Sequence, residues 1–194
     1  MAKCKNCGKS GLFLITKEGF CNDCYEQYIN YSLNFPNIIK QYEETINILN
    51  TTDNIETFFS RYDFLVNLIY KLVDMNKYIQ TAETPKVYMT RLYEQTEEII
   101  NDIIIKNLKK YEEKLQSLKT TKSKETNFLK FVELLKTQAD RYSEENKKTA
   151  VYACRRLQTY TNNTEIINED TFKKSKSFNL IRTERKMREV MSEN

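Results

Sequence analysis

Four of the five cysteines lie within the first 24 residues, as Cys4-x-x-Cys7 and Cys21-x-x-Cys24 with 13 residues between the pairs. A Cys-x-x-Cys turn aims two sulfurs at one point, and a connection of that length can fold as a hairpin that returns the second pair to the same point. Four thiolates then fill a closed tetrahedral shell with Zn–S near about 2.3 Å. The spacing therefore predicts one structural Zn²⁺ held by Cys4, Cys7, Cys21 and Cys24. Such a shell leaves no open position for a substrate, so catalytic zinc is not expected. An iron–sulfur cluster also takes four cysteines but usually with other spacings. A redox Cys-x-x-Cys needs one pair and a βαβ setting.

The residues around the cysteines predict how they are positioned. Gly8, just after Cys7, permits the positive φ that such knuckles need. Residues 12–16 (LFLIT with Leu12 first) are strand-like, Lys17-Glu18-Gly19 is turn-like, and Phe20 leads back to Cys21. Tyr25, Tyr28 and Ile29 then begin a helical spacing. This order of knuckle, hairpin, knuckle and helix resembles a treble-clef zinc finger of the LIM or zinc-ribbon kind. The resemblance covers about the first 28 residues and implies that the second pair sits at a helix N-terminus, where free N–H groups stabilise thiolate charge. The chain departs from common LIM patterns in having no histidine and a single predicted metal site. Zinc with four thiolates carries a formal −2. Lys3, Lys5, Lys9 and Lys17 against Glu18 and Asp23 supply +2. These lysines offset the anionic site; Lys3, Lys5 and Lys9 are also candidate contacts to phosphate or a partner.

Three glycines and two prolines in 194 residues leave too few turn formers for a sheet-rich fold. The predicted class is mainly α: a small N-terminal four-cysteine zinc finger with a β-hairpin, then an elongated antiparallel helical bundle. The expected division is 1–30 for the finger, 31–162 for the bundle, and 163–194 for a linker and basic C-terminal helix. Apolar residues from Tyr28 to Leu49 keep helical phase across Pro36, which predicts a kinked or stacked continuation. Asp53 and Glu56 have capping-box spacing. Ile55, Phe58, Phe59, Tyr62, Leu65, Val66, Ile69, Leu72 and Val73 form the cleanest amphipathic stripe. Thr84 and Pro85 open a helix over 85–118, about 50 Å long. Residues 119–126, KTTKSKET, read as an exposed loop. A helix then turns Phe128, Phe131, Val132, Leu135, Ala139 and Tyr142 inward. SEEN at 143–146 caps another that carries Val151, Cys154, Leu157 and Tyr160. Cys154 reads as a small core residue. The stretch NNTEIINED is linker-like, and the helix over 178–191 shows a stripe of Leu180, Met187 and Met191.

An enzyme is not expected. There is no histidine to act as general base and no glycine-rich phosphate loop. The pairs Glu43/Glu44, Glu97/Glu98 and Glu112/Glu113 fall on predicted helices as solvated faces. Residues 171–194 carry seven basic side chains (Lys173, Lys174, Lys176, Arg182, Arg185, Lys186 and Arg188) against three acidic ones, while the first 170 residues balance at 24 and 24. The stretch NIETFFSRYDFLVNLIYKLV, residues 54–73, resembles helical segments that follow four-cysteine fingers in uncharacterised proteins of low-GC Gram-positive bacteria, their phages and mobile elements. The expected function is a non-catalytic zinc-binding interaction or regulatory protein that presents a helical scaffold to a protein partner. The phage and mobile-element resemblance implies an inhibitor of a host complex as one form of it. The alternative is a zinc-finger nucleic-acid-binding regulator using the finger lysines and the basic C-terminal helix; nucleic acid is the less favoured partner. Wide apolar stripes also raise homodimerisation. No secretory signal or membrane-length apolar run occurs, so a cytoplasmic protein with no membrane contact is expected.

Overall fold

The computed structural model describes residues 2–12, 14 and 16–192. Two short antiparallel strands, β1 (Ala2–Lys3) and β2 (Ser10–Gly11), pair Ala2 with Gly11 and Lys3 with Ser10. Six helices follow: α1 (Asn22–Thr51), α2 (Ile55–Asn76), α3 (Pro85–Ser117), α4 (Thr121–Lys136), α5 (Glu144–Gln158) and α6 (Phe178–Ser192). Among the described residues, none of them is long and apolar enough to cross a membrane.

The helices start and stop where local chemistry allows. α1 runs unbroken through Pro36. Its stripe keeps its phase there, with Tyr31, Phe35, Ile38 and Ile39 half-buried and Tyr42 and Leu49 buried. The expected box of Asp53 and Glu56 does not form. Asn54 caps α2 instead, accepting from the Thr57 N–H at 2.8 Å. Asp53 reaches across to Lys110 on α3, and its carbonyl accepts from the Asn107 side chain at 2.7 Å. A bond to another helix thus takes the carboxylate away from its own helix end. Thr84 and Pro85 open α3 as predicted.

The loop expected at 119–126 is mostly helix. Thr120 accepts from the Ser123 N–H at 3.2 Å and starts α4 at Thr121. A polar first turn facing water carries no apolar period, so pattern alone hides it. Ala139 and Tyr142 are buried as predicted, but α4 ends at Lys136, and Ala139 lies in a separate 3₁₀ turn, Ala139–Arg141. Ser143 and Asn146 form a reciprocal capping box at the start of α5, with bonds of 3.1 and 3.2 Å. Asn146 is buried and also donates to the Glu97 carbonyl (3.0 Å) and Asn101 Oδ1 (2.9 Å), fixing α5 on α3.

Contacts give the helix directions. Tyr31 of α1 meets Tyr78 just past the end of α2, while the α1–α2 link lies at the other end, so the two are antiparallel. Asp53 with Lys110 sets α2 antiparallel to α3, and Tyr111 against Phe131 (5.0 Å) sets α3 antiparallel to α4. α5 then runs parallel to α3, since Asn146 meets Glu97 and Arg156 meets Glu112 (2.7 Å). α6 runs parallel to α2, with Thr183 on Asp63 and Lys186 on Asn67. α3 therefore sits centrally, against α2, α4, α5 and α6.

Every member of the predicted α2 stripe is buried, and Phe58, Phe128 and Phe131 are fully enclosed. The stretch read as linker is packed. Ile167 is buried and accepts from Arg155 Nε at 2.9 Å. Phe172, in a 3₁₀ turn at Glu169–Phe172, is fully buried. Two apolar anchors thus tie the segment down between polar neighbours. The buried face of α6 is Leu180, Thr183 and Val190, with Met187 half-buried. Met191 lies at the rim, where its sulfur accepts from the Thr90 hydroxyl at 3.4 Å.

Candidate metal centre

The two turns that carry the cysteines are built locally. Around the first knuckle, Cys4 N–H donates to the Lys9 carbonyl (2.9 Å) and Gly8 N–H to the Cys4 carbonyl (3.1 Å). Gly8 takes φ +70°, as the sequence predicted. The strand pairing brackets this knuckle. The strand expected at 12–16 does not appear at its described positions: Leu12 lies in a turn and is exposed, and Leu14 and Thr16 are irregular. Phe13 and Ile15, also in that expectation, lie outside the described residues. The turn expected at 17–19 is present, closed by reciprocal Lys17 and Phe20 bonds of 2.9 and 2.8 Å. Glu18 and Gly19 both have positive φ, 50° and 86°.

Cys21 stands at the N-cap of α1 and Cys24 in its first turn. The four Sγ atoms all lie within 4.8 Å of one another. Cys7 and Cys21 Sγ are 3.8 Å apart. That is the edge of a tetrahedron with a centre-to-corner distance of about 2.3 Å, the Zn–S bond length, and is far longer than a disulfide bond of about 2.05 Å. Cys4, Cys21 and Cys24 are buried, and Cys7 is exposed. The donor set is all thiol, suited to zinc or another soft cation.

The electrostatics favour a cation at the centre. The Cys21 backbone N–H, helped by those of Cys7 and Asn6, brings the Cys4 thiol down to about 6 against the desolvation of its site. The Asn6 amide favours the Cys24 thiolate, yet burial and the three neighbouring thiols outweigh it and push Cys24 up to about 11. Clustered thiolates repel each other in a partly dry site. A divalent ion converts that repulsion into attraction.

Several supporting groups escaped the sequence reading. Asn6 Nδ2 donates to Cys24 Sγ at 3.6 Å. It lies inside the first Cys-x-x-Cys, where a polar amide gives no periodic signal. Phe20 stacks on Tyr28 (5.2 Å) and meets Tyr78 (5.9 Å), which also meets Tyr31 (5.3 Å). Tyr78 is the bundle's hold on the finger. Burial, then the neighbouring Cys24 charge, pushes its hydroxyl pKa upward. It sits just past the end of α2, where sequence shows only a frayed helix terminus.

No family model matches the chain. Neither a curated protein nor a solved structure is significantly similar to it. The site is therefore argued from its own geometry.

The candidate contact residues fall in several environments. Lys3, Lys5 and Lys9 are exposed on the finger, and Lys5 Nζ donates to the Glu18 carbonyl at 3.1 Å. Lys176 binds Glu184 (2.7 Å), Lys173 binds Asp170 (2.5 Å), and Lys174 donates to the Thr137 carbonyl (3.0 Å). Arg185 lies 3.6 Å from Glu189, and Lys186 bonds Asn67 and lies over the Tyr70 ring. Arg182 and Arg188 form no ion pair among the described residues. Of the carboxylate pairs, Glu112 is half-buried on Arg156 rather than free in solvent.

Two expected results arise here. A Cβ at position 19 would collide with the Lys5 side chain, and φ +86° is strained for any L side chain. Gly19→Val should cost about 2 kcal/mol of finger stability, roughly thirtyfold in zinc affinity where folding and binding are coupled. Competition with a chromogenic chelator measures it. Cys154 is fully buried, and burial pushes its thiol up to about 12. A thiol reagent should therefore leave it untouched at neutral pH until the bundle unfolds. Chelator should release only the four finger thiols, counted as thiolate absorbance before and after denaturant.

Proposed function

We propose that the chain is a non-catalytic, zinc-binding interaction protein. Cys4, Cys7, Cys21 and Cys24 would hold one Zn²⁺, and the helical bundle would present a surface to a protein partner. The observation that carries the reading is the convergence of all four thiols at the spacing of a closed tetrahedral shell. Four protein donors fill that shell, so the ion supplies rigidity rather than a reactive position. The finger has little else to fold around: Cys4, Phe20, Cys21 and Cys24 are its buried core, with Leu14, Tyr25, Tyr28 and Tyr78 packed beside them.

Rigidity matters because of what the finger sets in place. The metal would fix the start of α1, and Tyr78 ties that start to the end of α2. Exposed Leu33 and Ile29 lie one turn apart on α1, and exposed Leu12 lies on the finger. An apolar set on a metal-fixed element suits a partner protein. An inhibitor of a host complex is one form that such a partner relationship takes. Elemental analysis of freshly purified, chelator-free protein should give one zinc per chain. Absence of stoichiometric zinc would remove the reading. Affinity capture should require both an intact finger and this apolar set, so Cys21→Ser and Leu33→Asp should each lose the partner. Sedimentation at micromolar concentration tests homodimerisation, and a monomer would exclude an obligate dimer.

A further inference from the structure

The formal balance of the first 170 residues conceals a strongly polarised end of the molecule. Residues 106–130 hold eight lysines, no arginine and three glutamates, a net +5. The antiparallel packing of α3 and α4 folds this segment into one hairpin tip. At 1.5 Å per residue each arm of the tip is roughly 15–18 Å long, so the charges cannot spread along the molecule. Glu112 is already bound by Arg156 from α5. The local field is felt by Asp53, whose carboxyl is held below the usual range by Lys110, with help from Lys106.

Six of these lysines (Lys106, Lys109, Lys119, Lys122, Lys124 and Lys130) make no side-chain hydrogen bond or ion pair among the described residues. The tail cations differ, since most of them already have partners within the chain. From this we infer that the α3–α4 tip is a docking surface for the phosphate backbone of duplex nucleic acid. It goes beyond the metal-dependent partner reading and uses a different end of the protein.

Three features select a duplex. Lysine is depleted at the cores of protein interfaces but meets phosphate well as a point charge. Leu129 is the one large hydrophobic residue exposed among the described residues of the tip, so an acidic protein would find no aromatic or arginine anchor. Tyr111 is turned against Phe131, which leaves no ring on which an unpaired base could stack. What remains is sequence-independent backbone contact, for which a duplex offers one charge per about 1.7 Å of axis.

Fluorescence anisotropy with a labelled duplex of about 20 base pairs tests it. Five phosphate contacts give a slope near −4.5 in log affinity against log salt, so binding should weaken about 500-fold between roughly 50 and 200 mM salt. The triple variant Lys109→Glu, Lys119→Glu, Lys122→Glu should abolish binding while keeping the helical circular dichroism. Arg182→Glu, Arg185→Glu, Arg188→Glu should leave it within about twofold, and Cys4→Ser should leave it unchanged, so failure of the metal site and failure of this surface are separable. No binding at low salt would overturn the inference. So would loss in the tail variant with retention in the tip variant, or displacement by polyglutamate as effective as by unlabelled duplex, which would mark an acidic-protein surface.

Discussion

Cys21→Ser should reduce bound zinc from one per chain to none and unfold the finger while the bundle remains helical. Structural zinc sites bind with an apparent free energy of about 10–16 kcal/mol, and that energy is folding energy where little structure exists without the ion. The finger fits that case. Its strands are two residues each, and three of its four core residues are cysteines. Removing one thiolate leaves a gap in the shell and three clustered thiols without a cation. The bundle has its own extensive core, from Tyr42 on α1 to Val190 on α6. Limited proteolysis should therefore cut within residues 2–20 in the variant and in chelator-treated wild type, with little change in far-ultraviolet circular dichroism. A cooperative loss of the whole helical signal on chelation would show that the bundle cannot stand without the finger.

Arg141→Ala should be the most damaging single charge deletion in the bundle. Arg141, in the turn after α4, makes a fork of two bonds to Asp63 on α2, 2.8 and 2.7 Å long, and lies over the Phe59 ring at 5.1 Å. Asp63 Oδ1 also accepts from the Thr183 hydroxyl of α6 at 2.9 Å. One carboxylate therefore joins three parts of the chain distant in sequence. The arginine side chain is 8% exposed and the aspartate 26%. Breaking a fully buried pair costs about 3–5 kcal/mol, and partial access of water to Asp63 brings the expected loss to about 3 kcal/mol. For a chain of this size that is roughly 6–12 °C in Tm. Asp63→Asn keeps an acceptor for both partners and should lose less. Thr183→Val removes one hydrogen bond, about 1–2 kcal/mol, and should loosen α6 in hydrogen exchange before the rest. Equal melting of Arg141→Ala and wild type would exclude a structural role for the pair.

The cysteine spacing, the helix count after it and the α2 stripe were legible because each depends on local chemistry. A knuckle needs its thiols two residues apart, and a buried helix face needs its period. Cys154 followed the same logic: its place on an apolar face predicted its burial. Helix starts were less legible. Asn54 rather than Asp53 caps α2 because Asp53 finds a lysine 57 residues away, and no local pattern contains that partner. The polar first turn of α4 and the buried Ile167 and Phe172 were missed for a related reason. Isolated anchors and solvated turns have no period.

The amino-acid order by itself determined that four thiols could meet and that long helices would follow. Tertiary structure decided what surrounds them: Asn6 and Tyr78 at the metal centre, Asp63 as a three-way junction, and lysines gathered at one tip while the tail's charges mostly pair within the chain. Sequence counts average charge along the chain, but fields add in space. A segment neutral on average becomes a charged pole once two helices fold back on each other.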